Sequence, residues 1–337
     1  MGGDRKRGVA AAVSLLLGGV LLTGCGGPDE APDIGPWPDV TPATTLPPGT
    51  PITDWLTVPQ GTMLLGSAFP RRDGGVQALM LVTGDALDAV ADLSEQAYNA
   101  GFRWLSSGGF SGDHGACEIV SGDWAAATET YPVDARPPDE PHWLYCGGYG
   151  VRPVAEGHQW SLSFRLILGS EPEPYLSHLY LSLDWLPVAD EAEELELPTT
   201  PLEVPDAPAP VDPPPYPTSM PEPGDDIGEP FTPTGEDYPL LEGSRLTAPP
   251  FPSQCVTGGF YAVLELEEVG VNRYDAAYRD VFGGLPENAA TPGEEFTRGE
   301  TRAVYRQYHL VGGGDLTIHA VEYPGRPAYL MVSRCND

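Results

Sequence analysis

His114 is the residue of this sequence best placed for chemistry. It stands in Gly112-Asp113-His114-Gly115-Ala116-Cys117-Glu118, where an imidazole, two carboxylates and a glycine-rich approach from Ser106 gather in one short stretch. Such a set can line a cleft or hold a cation, but a zinc site asks for three or four ligands with the cysteines free. The other five histidines, His142, His158, His178, His309 and His319, are scattered without HExxH or paired spacing. A polar loop beside a disulfide explains the same residues, so Asp113, His114 and Glu118 are kept as a candidate site loop and no catalytic residue, metal or cofactor is expected. Hydrolase motifs are missing as well. Gly109-Phe110-Ser111-Gly112 lacks the G-x-S-x-G spacing, and Lys6 is the only lysine, which leaves no phosphate-binding GxxxxGK[ST] loop.

Four cysteines carry a second kind of chemistry. Cys117 and Cys146 fall in one half of the chain, Cys255 and Cys335 in the other, and none is in CxxC spacing. Of the three possible pairings, the two local bridges avoid closing a loop across the acidic segment between the halves. Each would stabilise its domain by about 3 to 4.5 kcal/mol in the loop-entropy picture.

The N-terminus says where this chemistry takes place. Arg5, Lys6 and Arg7 precede an apolar run from Val9 to Leu22, long enough for an export signal and short for a membrane span. The run ends in Leu22-Thr23-Gly24-Cys25, which resembles the lipobox of bacterial lipoproteins. The resemblance covers the first 25 residues and implies a signal peptide over 1–24, a diacylglyceryl group on the Cys25 thiol, and Cys25 as the mature N-terminus. It implies a protein anchored to the cell membrane through that lipid and facing outside the cytoplasm. At about 0.8 kcal/mol per buried methylene, two acyl chains hold without help from a basic patch.

None is available, because 49 acidic residues face 17 basic ones and the net charge is −32. Nucleic-acid binding rests on neutralising phosphates with Lys and Arg, and this balance excludes it as a function class.

The elements that must position these residues follow from composition and periodicity. Residues 25–51 read as a tether, with eight prolines and four acids after Cys25 and no basic residue; residues 187–239 read as an acidic Pro-rich linker, with fifteen prolines, fourteen acids and again no Lys or Arg. Between and beyond them lie domains at 52–186 and 240–337. In the first, Asp85 can cap a helix that ends at Gly101, and Trp160 to Leu168 and Leu179 to Trp185 alternate as strands with one wet face. In the second, Asn272 can cap a helix with Tyr274 and Tyr278 inward, before strands at 302–311, 316–323 and 328–334. The expected fold class is α+β, two small domains, each a mostly antiparallel sheet with one covering helix, joined by a disordered linker. Gly66-Ser67 with Phe69-Pro70, against Gly243-Ser244 with Phe251-Pro252, suggests a diverged β-α-β-β-β repeat.

The function expected from this layout is binding or assembly outside the membrane on an unknown envelope protein or polymer, without catalysis. The alternatives are a carrier or sensor of a small or apolar ligand and, behind it, an envelope hydrolase. Exposed aromatics such as Trp37, Trp124, Trp143 and Tyr149 would suit carbohydrate or peptide.

Overall fold

The computed structural model describes residues 43–107, 117–120, 123–126, 143–155, 158–169, 177–187, 208–212, 219–229, 231–232, 236–253, 259–281, 293–310 and 314–335. The first half runs β1 (Thr45–Leu46), β2 (Thr62–Leu65), β3 (Phe69–Pro70), β4 (Val76–Val82), α1 (Ala86–Asn99), β5 (Arg103–Ser107), β6 (Cys117–Val120), β7 (Asp123–Ala126), β8 (Trp143–Ala155), β9 (His158–Gly169) and β10 (His178–Pro187). The sheet order is β1-β2-β4-β10-β9-β8-β5, with β3 also on β4 and every pairing antiparallel. The hairpin of β6 and β7 stands apart as its own ribbon. Asp85 caps α1 as its chemistry predicts, its Oδ1 accepting from the Asp88 N–H at 3.4 Å, and Gly101 at φ 93° ends the turn. Val90, Leu93 and Ala97 bury the helix on Ala78, Met80, Leu162, Phe164, Leu179 and Leu181.

The second half repeats the plan. It runs β11 (Ser244–Leu246), β12 (Phe251–Pro252), β13 (Gly259–Leu266), α2 (Val271–Val281), β14 (Glu294–Arg298), β15 (Thr301–His309), β16 (Asp315–Glu322) and β17 (Ala328–Cys335), in the order β11-β13-β17-β16-β15-β14 with β12 on β13. The protein is thus α+β, two antiparallel sheets each with one covering helix. Helix α2 begins one residue before Asn272, so that residue lies in the first turn and is not the cap. Tyr274 and Tyr278 do point inward, fully buried.

The likeness between the halves extends to individual hydrogen bonds. Arg71 N–H donates to the Gly75 carbonyl at 2.8 Å, and Ser253 N–H donates to the Gly259 carbonyl at the same distance. The Gly61 carbonyl takes the N–H groups of Thr83 and Gly84, as the Gly243 carbonyl takes those of Glu267 and Glu268. Thr62 Oγ1 donates to Pro59 as Ser244 Oγ does to Leu241. A Cβ at Gly75 would lie 2.2 Å from the Leu183 carbonyl oxygen, and one at Gly259 would lie 2.1 Å from that of Arg334. Two registers follow. Phe69-Pro70 does match Phe251-Pro252, but Gly243-Ser244 matches Gly61-Thr62 and not Gly66-Ser67. The repeated unit also carries four meander strands after its helix, one more than the sequence pattern suggested: β5, β8, β9 and β10 answer β14, β15, β16 and β17.

The repeat reaches upstream of each sheet. Gly49, Ile52 and Val58 bond to Val58, Leu56 and Thr50 in the same pattern in which Gly224, Ile227 and Leu240 bond to Leu240, Tyr238 and Asp225. Ile227 and Tyr238 are fully buried in the second core. Glu236 grips the buried Arg334 side chain through contacts at 2.9 and 2.8 Å and accepts from Tyr238 Oη at 2.7 Å. Burial works against the Glu236 charge, but the bonds from Arg334 and Tyr238 outweigh it and hold this carboxyl below its ordinary range. The boundaries at 52 and 240 are therefore corrected: Thr45, Leu46 and Thr50, read as tether, and Ile227, Glu236 and Tyr238, read as linker, are packed parts of the domains. The fourteen acids do not all lack partners, because Arg334 comes from the far end of the chain to meet Glu236.

Where the two sheets meet, the wet face that period-2 alternation implied is lost. Leu65, Phe69, Leu79, Leu81 and Ile167 from the first repeat pack against Ala248, Phe251, Tyr261, Val263, Val321, Tyr329 and Met331 from the second, in one shared core. Both faces of β4 and β13 are consequently buried along their whole length. Gly66 makes the approach possible. It sits at φ 69°, and a Cβ there would lie 2.6 Å from the Tyr329 ring and 3.0 Å from Val263. Ser67 Oγ and Tyr323 Oη close the seam at 2.7 Å, and Thr44 Oγ1 donates to Glu265 at 2.9 Å. The expectation of two separated beads is corrected by these contacts: helix, sheet, sheet and helix follow one another as layers.

Candidate binding site

The repeats differ most at one end of the first sheet. Strands β8 and β9 pair as far as Ala155 and His158, while β15 and β16 pair only as far as His309 and Asp315. In register, Arg152 stands across from Trp160, and Trp160 across from Trp185, so one row crosses β8, β9 and β10 at the tip of this extension. Trp160 and Trp185 belong with the helix-side core residues, and Trp185 lies past Leu183, where β10 stops pairing with β4. The local sequence explains the row: alternation places Trp160 in line with Leu162 and Phe164, and Trp185 in line with Leu181 and Leu183.

The result is an aromatic platform. Trp160 is buried at its base, Trp185 is half-buried with its ring centroid 4.8 Å away at 60°, and His158 stacks on Trp185 at 5.3 Å and 2°. Trp55 packs on Phe102, just past the helix end, with centroids at 4.9 Å. Two charged groups complete the set. Burial pushes the Asp54 carboxyl above its ordinary range against the pull of the Arg152 charge, and burial lowers the Arg152 guanidinium against the pull of Asp54. Each feels the other, yet no ion pair or hydrogen bond joins them, and Arg152 Nε is buried without a hydrogen-bond partner. An apolar ring face beside a half-buried guanidinium and a carboxylate that meets solvent suits binding of a neutral, amphipathic molecule.

Other polar groups brought together by the fold are committed to structure. Arg71 pairs with Asp184, which also accepts from Ser182 at 2.9 Å, and the guanidinium lies 5.5 Å from the Tyr305 ring centroid. His319 is fully buried at the seam, its Nε2 2.7 Å from the Pro70 carbonyl and its Nδ1 3.1 Å from Gln77 Oε1. Burial drives its pKa down to about 3, with the Pro70 bond opposing and Arg71 adding to the shift.

Of the residues singled out in the sequence, Cys25, Asp113, His114 and Cys255 lie outside the described residues. Cys117 and Glu118 stand on β6 opposite Ala126 and Ala125, and Cys146 on β8 opposite Leu166. Cys335 is disulfide-bonded. Trp124 and Trp143 lie on β7 and β8, as does Tyr149 on β8, and Trp37 is outside the described residues. Among the described residues no group of three or more His, Cys, Asp or Glu is arranged to hold a metal ion, and no helix is long and apolar enough to cross a membrane. The platform itself was missed in the sequence because Trp160 and Trp185 alternate like core residues. The legible signal was that all seven tryptophans precede Pro187.

Compared with known proteins, the chain matches no family model and no curated sequence. A solved structure of a tesB protein from Mycobacterium avium subsp. paratuberculosis aligns at 10% identity over 82% of this chain and 92% of that one, with a TM-score of 0.14, a likeness too slight to carry fold or function.

Proposed function

We propose that this protein is a lipid-anchored cell-envelope binding protein, held outside the cytoplasm through Cys25 and presenting a two-repeat body to a partner without chemistry of its own. The observation that carries the binding half of this reading is the half-open aromatic platform of Trp55, Trp160, Trp185 and His158, set at a strand extension that the second repeat lacks. Rigid strands hold such a surface in place better than loops do. The lipobox resemblance at Leu22-Thr23-Gly24-Cys25 supports the location, and the disulfide at Cys335 suits an oxidising compartment. The absence of catalysis is favoured by the commitments of His319, Arg71, Asp184, Glu236 and Arg334 to partners within the fold.

Fractionation tests the anchor. Cells expressing the wild-type chain should carry it in the membrane pellet through a high-salt wash, and Cys25→Ser should move it to the soluble fraction. Retention of the Cys25→Ser protein in the washed pellet sinks the lipid-anchor reading.

A further inference from the structure

We infer that the platform binds the pyranose ring of a neutral oligosaccharide, stacked on the Trp185 side of the aromatic row, with hydroxyls shared between Asp54 and Arg152. This rests on the binding role proposed above and names its ligand class. Three features point to a sugar. A pyranose has one apolar C–H face, and the half-buried Trp55 and Trp185 rings offer apolar surface to it. Each hydroxyl donates one proton and accepts through its lone pairs, which answers the half-buried Arg152 guanidinium as a donor and the exposed Asp54 carboxylate beside it as an acceptor. A net charge of −32 disfavours anionic polymers at long range, and a neutral glycan is indifferent to that field. The second repeat, built on the same bonds, pairs its corresponding strands only as far as His309 and Asp315, so the site belongs to one repeat only.

The test uses full-length protein in mild detergent, titrated with cellotetraose, N-acetylchitotetraose, maltotetraose and mannotetraose and followed by calorimetry and tryptophan fluorescence. Saturable binding of at least one of these is expected with a dissociation constant of about 1 mM or tighter, accompanied by a fluorescence change. Trp185→Ala should weaken it by about tenfold or more, Asp54→Asn by several-fold, and Tyr305→Phe in the second repeat should leave it unchanged. Asp54 is exposed, so its substitution keeps the test alive if Trp185→Ala fails to fold, and Trp185→Phe should retain packing with intermediate affinity. No saturable binding of any of the four sugars overturns the inference. So does undiminished binding by a folded Trp185→Ala, or binding of a proline decapeptide or an anionic polysaccharide in their place. Membrane fractionation of the same preparation reports separately on the anchor: a chain that stays in the pellet and ignores sugars refutes the ligand, while one that binds sugars but never partitions with membrane refutes the location.

Discussion

Protonating His319 should loosen the seam between the repeats, and the size of the effect can be worked out. The ring is fully buried among Phe69 and Pro70 of β3, Gln77 of β4 and Tyr305 of β15, with the Arg71 charge nearby. Burial lowers its pKa from the ordinary 6.5 to about 3, so the folded protein holds it neutral while the unfolded chain takes up a proton below about 6.5. The stabilisation is therefore fully present above that pH and is lost as pH falls towards 3. Each pH unit below 6.5 removes about 1.4 kcal/mol, which makes about 2.7 kcal/mol by pH 4.5. His319→Gln keeps a group that can bond to Pro70 and Gln77 but does not titrate. At pH 7.5 the variant should be less stable by about 1 to 2 kcal/mol, because packing between Phe69 and Tyr305 is lost. On acidification the wild type should lose that advantage and fall below the variant, with melting temperatures converging and then crossing. Urea unfolding of both proteins between pH 7.5 and 4.5 measures this, since other titrating groups cancel in the difference. Parallel curves across that range would show that His319 is not held neutral at the seam.

The packing of the former linker is tested by Glu236→Ala, which leaves the 1%-exposed Arg334 side chain without its carboxylate and should cost about 2 to 4 kcal/mol in denaturant unfolding; a loss under about 0.5 kcal/mol would return residues 236–239 to the role of spacer. At the seam, Gly66→Ala must take a left-handed φ and push its methyl into the Tyr329 ring, so a loss of about 2 kcal/mol or more is expected, together with easier proteolytic separation of the repeats. A neutral Gly66→Ala would mean that the two sheet faces do not approach as closely as the shared core requires.

The sequence by itself determined much of the local structure. The Asp85 cap, the Gly101 stop, the alternating strands of β9 and β10 and the inward Tyr274 and Tyr278 were all legible, because each depends on neighbours within a few residues. The lipobox resemblance at Leu22-Thr23-Gly24-Cys25 is likewise carried by a contiguous motif that needs no fold to be read. Only the tertiary structure decided what covers each surface. Alternation in β4 and β13 distinguishes two faces but does not say that the second face meets another sheet in place of water. Composition made 221–239 look like spacer, since its acids have no basic neighbour in sequence, and the cation that binds Glu236 arrives from position 334. The platform was hidden for the same reason: Trp160 and Trp185 carry the periodicity of core residues, and only the packing leaves Trp160 buried and Trp185 half-open. Burial and exposure are properties of where elements stop relative to one another, and that relation is set by long-range packing.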